Sequence, residues 1–112
     1  MAYDEHLAMR IRDSISHLED IEEKRMMGGL VFMVHGKMCV GIIKDELMCR
    51  IDPDRHTEVV EMNGCRTMDF THRPMPGYIL VEPAAMRTSK ELDSWIKMAL
   101  EYNPRAKASK KS

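Results

Sequence analysis

Residues 26–43 read Met-Met-Gly-Gly-Leu-Val-Phe-Met-Val-His-Gly-Lys-Met-Cys-Val-Gly-Ile-Ile, two apolar runs that meet at His35-Gly36. Glycine takes positive φ freely and histidine tolerates it better than most residues, so this dipeptide predicts a tight hairpin turn. A two-residue turn places three pairs opposite each other: Val34 with Lys37, Met33 with Met38, and Phe32 with Cys39. The pair Gly28-Gly29 opens the first run, where we expect a kink, a bulge or a close approach to another backbone.

Three strand-like runs around this turn predict an antiparallel meander. They cover about residues 26–34, 37–43 and 47–51. A helix of about four turns is expected before them, since Asp4 is a suitable N-cap and apolar residues recur at helical spacing from Leu7 to Leu18. The charged segment 19–24 is expected only to connect this helix to the sheet.

The middle of the chain predicts one helix and two strands. Asp52-Pro53 is a favourable helix start, and Asn63-Gly64 is a favourable stop. Residues 65–70 indicate a weak strand and residues 78–82 a clear one. Between them, the proline-containing segment 69–77 predicts a loop, with Pro76-Gly77 suited to a type II turn.

The last helix is predicted from its start signal. Thr88 and Glu91 match a capping box, and Trp95 belongs to the apolar face that follows. Pro104 is expected to end the helix. The predicted order is therefore α-βββ-α-ββ-α, a two-layer α+β fold with an antiparallel sheet and one domain.

Charge is unevenly distributed along the 112 residues. Residues 103–112 contain four of the 17 basic residues and no acid, so the rest of the chain carries 13 basic against 18 acidic residues. We therefore expect a domain over 1–102 and a basic, disordered tail over 103–112. An acidic body is unsuited to binding duplex DNA on its own.

The cysteines and the N-terminus bear on cellular location. Cys39, Cys49 and Cys65 are odd in number and have no C-x-x-C spacing, which favours free thiols in a cytosolic protein. The chain shows neither a signal peptide nor an apolar run long enough to span a bilayer. The expected location is the cytoplasm.

Several segments of the chain match one family pattern. They are Met-Ala-Tyr-Asp-Glu-His-Leu at 1–7, the Met-Gly-Gly hairpin at 26–39, Leu-Met-Cys-Arg-Ile-Asp-Pro at 47–53, and Met68-Asp69-Phe70, Arg73-Pro74-Met75 and Gly77-Tyr78. With Trp95 in the last helix, the chain resembles the TfoX/Sxy N-terminal domain family over about residues 1–102. Two departures are Met27, where an aromatic residue is usual, and His35, where asparagine is usual.

This resemblance implies a fold and a biological process, but not a catalysed reaction. The family is linked to bacterial competence regulation, and its two-layer α+β fold is shared with secretion chaperones. Competence regulators of the family carry a second, C-terminal domain, which we expect this chain to lack. What the full-length regulators do with the transcription machinery therefore does not transfer to this module, and the resemblance supplies no catalytic residues.

Three kinds of chemical site were considered and set aside. Six sulfur-containing residues could suggest a soft-metal site: Met33, Met38, Cys39, Met48, Cys49 and Cys65. Because strand alternation puts adjacent residues on opposite faces, we expect them to fill the core instead. The three cysteines and five histidines are not accompanied by any sequence signature of nucleophilic catalysis. Gly28-Gly29 lacks the phosphate-loop pattern, so we expect a backbone role for Gly28, Gly29 and Gly36.

The most promising polar group is Arg50, Asp69, His72 and Arg73. Three of these residues fall in the proline-containing segment, and ordered loops concentrate recognition residues. The competing interpretation is that Asp69 and Arg73 pair with each other or with backbone and hold the loop.

These observations favour a non-catalytic protein-interaction or regulatory module without a cofactor. The expected partner is another protein, which the sequence does not identify, or a second copy of this chain in a homodimer. The alternative is a small ligand-binding protein or enzyme with a site near Arg50, Asp69 and Arg73. A third hypothesis is a nucleic-acid accessory protein that uses the basic tail.

Overall fold

A computed structural model describes residues 3–26, 28–62, 64–70 and 73–106. Within them the chain forms three α-helices: α1 (Glu5–Ser14), α2 (His56–Val60) and α3 (Ser89–Tyr102). The six described strands are β1 (Ile21–Met26), β2 (Gly29–Val34), β3 (Lys37–Ile43), β4 (Glu46–Arg50), β5 (Cys65–Phe70) and β6 (Arg73–Val81). The pairings between these six strands are antiparallel, in the order β1-β2-β3-β4-β6-β5. The predicted α+β fold is confirmed.

The charged segment after the first helix is the main surprise in the N-terminal half. Residues expected to be a connection form β1, which pairs with β2 from Ile21 opposite Val34 to Met26 opposite Gly29. The first predicted strand corresponds to β2, β1 is an additional strand before it, and α1 ends at Ser14, earlier than expected. The sequence pattern hid β1 because it lies at the sheet edge, where five of its six side chains are exposed.

The β2–β3 turn has the backbone that its dipeptide predicts. His35 and Gly36 have φ values of 54° and 77°, and Val34 lies opposite Lys37 as expected. The expected pairing of Phe32 with Cys39 is wrong. A bulge shifts the register, so Phe32 lies opposite Val40 and Cys39 is the extra residue.

Close backbone contact between β2 and β3 depends on glycine. A Cβ at Gly29 would lie 1.9 Å from the carbonyl oxygen of Ile42, and one at Gly41 would lie 2.7 Å from that of Leu30. Any side chain at Gly29 would therefore force the two strands apart.

The sheet has a different apolar cluster on each face. On the helix face, all three helices contribute buried residues that pack against Phe32, Cys39 and Cys49. On the opposite face, the buried cluster comes from strands: Val31, Met33, Met38, Met48, Met68 and Leu80. The adjacent Met and Cys residues in β3 and in β4 thus point to opposite faces, as strand alternation predicts.

The described residues of the segment predicted as a loop, 69–70 and 73–77, are strand, so the loop expectation is wrong for them. β5 and β6 form a ribbon whose backbone register places Asp69 opposite Pro74 and Phe70 opposite Arg73. The last β4–β6 pair is Arg50 with Tyr78, so the start of β6 extends beyond β4. Proline is tolerated there because that stretch of β6 needs backbone hydrogen bonds on one side only.

The end of α3 is anchored to the sheet. Asn103 is 4% exposed, and its side-chain amide donates to the carbonyl oxygen of Val34 over 3.2 Å. Lys37 Nζ donates to the Asn103 carbonyl oxygen, and Arg105 pairs with Asp52 over 2.8 Å, which lowers the pKa of that carboxyl. Residues 103–106 of the predicted tail are described and contact the body, whereas residues 107–112 lie outside the described structure, so the disorder expected there stays a prediction. None of the described helices is long and apolar enough to cross a membrane.

Replacing Gly29 should be far more disruptive than replacing Gly36. We expect Gly29→Ala to lower the free energy of unfolding by about 3 kcal/mol or more, because backbone must move. Gly36→Ala is the matched control: it meets no atom within 4 Å, so its positive φ alone should cost about 1–2 kcal/mol. Denaturant unfolding of both variants would measure this, and equal losses would contradict the close approach of β2 to β3.

Candidate functional site

Arg50 is the member of the predicted polar group whose side chain the structure describes. It lies at the end of β4, half-buried, and its guanidinium carbon is 5.6 Å from the centroid of the Tyr78 ring. This is a cation–π distance. The pair marks the base of the β5–β6 ribbon.

Two other members of that group lie farther along the ribbon. Asp69 belongs to the end of β5 and Arg73 to the start of β6, in neighbouring rather than opposite positions of the register. His72 lies outside the described residues. The predicted grouping of these three residues with Arg50, and the alternative pairing of Asp69 with Arg73, therefore stay predictions.

His56 fixes the base of the ribbon, a role that sequence analysis missed. The Gly77 N–H donates to His56 Nδ1 over 2.9 Å, and His56 Nε2 lies 2.9 Å from Thr67 Oγ1. Because Nδ1 is an acceptor, this arrangement requires the neutral tautomer with the proton on Nε2. The imidazole therefore joins α2 to both strands of the ribbon. A lone histidine at the start of a helix carries no sequence signal for such a contact.

The three cysteines are unsuited to nucleophilic chemistry. Burial raises the pKa of Cys39 to about 12 and that of Cys65 to about 11, and it raises the pKa of Cys49 well above its ordinary value. At neutral pH these thiols are protonated, whereas the thiolate is the reactive form. The described residues also contain no group of three or more His, Cys, Asp and Glu side chains placed to hold a metal ion.

A groove of about 380 Å³ lies between α3 and the segments that follow α2 and β6. We call it the Trp95 groove; its defining residues are Met62, Glu82, Ala85, Glu91, Trp95 and Met98. Glu91, Trp95 and Met98 are spaced by four and three positions along α3, so they share one face of the helix. This face of α3 therefore forms one side of the groove, and the segments that follow α2 and β6 form the other.

The base of the groove is held rigidly, and its rim is adaptable. Trp95 is 5% exposed, and its indole Nε1 donates to the Ala85 carbonyl oxygen over 3.1 Å, which ties α3 to the turn after β6. Met62 is 46% exposed and Met98 is half-buried. Methionine side chains are flexible and polarisable, which suits a surface that accommodates another apolar group.

Charge on the groove has one sign. Glu82 and Glu91 are exposed, and none of the described lining residues is basic. Glu91 also accepts a hydrogen bond from the Thr88 N–H over 3.1 Å as part of the capping box of α3. The Thr88 N–H is a neutral donor, so the described lining supplies no positive charge opposite either acid.

Comparison with known proteins gives one result. The family model of the TfoX N-terminal domain matches residues 13–102. Neither the curated proteins nor the solved structures contain a significant match. The matched segment includes the whole of the Trp95 groove and the described part of the β5–β6 ribbon.

The raised thiol pKa values predict slow alkylation of the folded protein. At pH 8 we expect Cys65 to react with iodoacetamide about a hundredfold more slowly than in the unfolded chain, and Cys39 about a thousandfold more slowly, because so little thiolate is present. Three thiols per chain should react after denaturation without reductant. Mass spectrometry of timed samples would measure both rates. Fast native alkylation, or fewer than three reactive thiols after denaturation, would contradict the prediction.

Proposed function

Since this chain belongs to the TfoX N-terminal domain family, which is linked to competence regulation, we propose that it is a non-catalytic regulatory module that binds another protein. The observation that supports this proposal most directly is the Trp95 groove. The groove combines a tryptophan base and exposed methionine, residue types that are enriched at protein interfaces, with a polar rim of the kind that surrounds such interfaces.

The composition of the groove favours docking over catalysis. Glu82 and Glu91 are exposed, whereas general acids and bases usually lie where burial or a charged partner shifts their pKa. The buried, protonated cysteines are equally poor nucleophiles. These features support an interaction surface that works by shape, apolar contact and charge.

A second candidate function is ligand binding near Arg50, Asp69 and Arg73. The observation that favours it is the half-buried guanidinium of Arg50 over Tyr78, beside a ribbon whose base is fixed by His56. The planar guanidinium of an arginine is suited to recognising an anionic group. We rank it second because the Trp95 groove is defined by described side chains throughout.

Site-specific photocrosslinking tests the docking surface. A photoreactive phenylalanine analogue at Met62 should form discrete protein adducts in the cells that make this protein, because that residue is 46% exposed in the groove. The matched control is Met9, which is 61% exposed on α1. Adducts at position 62 that are absent at position 9 support the proposal. Adducts at position 9 alone would place the interaction surface elsewhere.

The folded body should not bind duplex DNA by itself, because its net charge is negative. The test uses a chain that ends after Ala106, since Asn103 and Arg105 contact the body and should be kept. Fluorescence anisotropy with a labelled duplex should detect no binding at physiological salt. Micromolar or tighter binding would instead favour a nucleic-acid function, and loss of binding relative to the full chain would assign it to residues 107–112.

A further inference from the structure

The acidic rim of the Trp95 groove restricts the chemistry of what can occupy it. Glu82 and Glu91 stand beside apolar Met62, Trp95 and Met98, and the described lining offers no positive charge to neutralise them. A wholly apolar occupant would bring low-dielectric material against two carboxylates without compensation, which is unfavourable. An acidic occupant would be repelled. The complementary occupant carries positive charge next to an apolar anchor.

We infer that the Trp95 groove binds a partner protein through a short amphipathic segment whose apolar side chains are flanked by lysine or arginine. This inference rests on the docking function proposed above and specifies the chemistry of the partner. The apolar side chains pack against Trp95 and the methionines, and the basic side chains pair with Glu82 and Glu91. The net negative charge of the body favours the approach of such a segment.

Other occupants fit the groove less well. Nucleic acids and anionic lipid surfaces present negative charge, which the two carboxylates oppose. A neutral small molecule would leave the acidic rim without a role. A second copy of the chain would bring a body that is itself acidic. Charge complementarity therefore selects a basic amphipathic protein segment.

The groove contains its own reporter, because Trp95 is the only tryptophan of the chain. Two synthetic helical peptides without tryptophan serve as probes; they share the same leucine face and carry lysine in one case and glutamate in the other. The lysine peptide should shift the Trp95 emission saturably, and the glutamate peptide should not. Raising the salt concentration should weaken binding of the lysine peptide, because exposed charge pairs are screened.

Charge removal tests whether this binding occurs in the groove. The double variant Glu82→Gln, Glu91→Gln should weaken binding of the lysine peptide about five- to tenfold. Glutamine at position 91 can still complete the capping box, so α3 should remain folded, which a denaturant melt verifies. The matched control is Glu101→Gln, which removes an exposed acid of α3 outside the groove and should leave the affinity unchanged.

Equal binding of the two peptides would overturn the inference, and so would equal weakening of binding by Glu101→Gln and by the double variant. It would also be overturned if the Trp95 emission changed with protein concentration and analytical ultracentrifugation showed dimers. The last result would make a second copy the occupant. Adducts at position 62 without binding of the lysine peptide would refute this partner chemistry and leave the docking function standing. Absence of both would refute the docking function as well.

Discussion

The backbone of β2 lies against that of β3 so closely that Gly29 has no room for a side chain facing the Ile42 carbonyl oxygen. This contact and the turn at His35-Gly36 hold the two strands together at both ends. The bulge between them then decides which side chains reach each face, because Cys39 and Val40 together oppose Phe32. Both join the cluster on the helix face, while Met33 and Met38 join the cluster on the other. With this register, the larger set of apolar side chains lies on one face of the sheet, and the helices pack on that face.

The position of α3 follows from two tethers to the rest of the fold. At its middle, the Trp95 indole donates a hydrogen bond to the Ala85 carbonyl oxygen, and after its end the Asn103 side-chain amide donates one to β2. Helix and turn are thereby held at a fixed separation, and the Trp95 groove is the space that remains between them. For the docking function proposed above, a groove built in this way needs little rearrangement, which lowers the entropic cost of association.

Sequence patterns located the elements best where one side of a strand or helix is buried. The capping box at Thr88 and the apolar face of α3 were predicted correctly, as was the turn that joins β2 to β3. β1 escaped prediction because an edge strand with exposed charged residues shows no apolar alternation. The first part of β6 escaped because its prolines indicate a loop unless the strand extends past its neighbour, and that depends on where β4 ends.

By itself, the sequence determined the order of the elements other than β1, the antiparallel sheet and the family resemblance, because turn chemistry, capping and side-chain periodicity act over a few neighbouring residues. Tertiary structure alone decided the contacts between residues far apart in the chain. The packing of α2, β6 and α3 brings the Gly77 N–H into hydrogen-bond contact with His56. It also places Met62 and Glu82 in the same groove as Trp95. No local sequence pattern predicts these contacts, since they depend on the order of the strands in the sheet and on the register between them. The fold was therefore readable from the chain, whereas the groove that carries the proposed function became visible only in three dimensions.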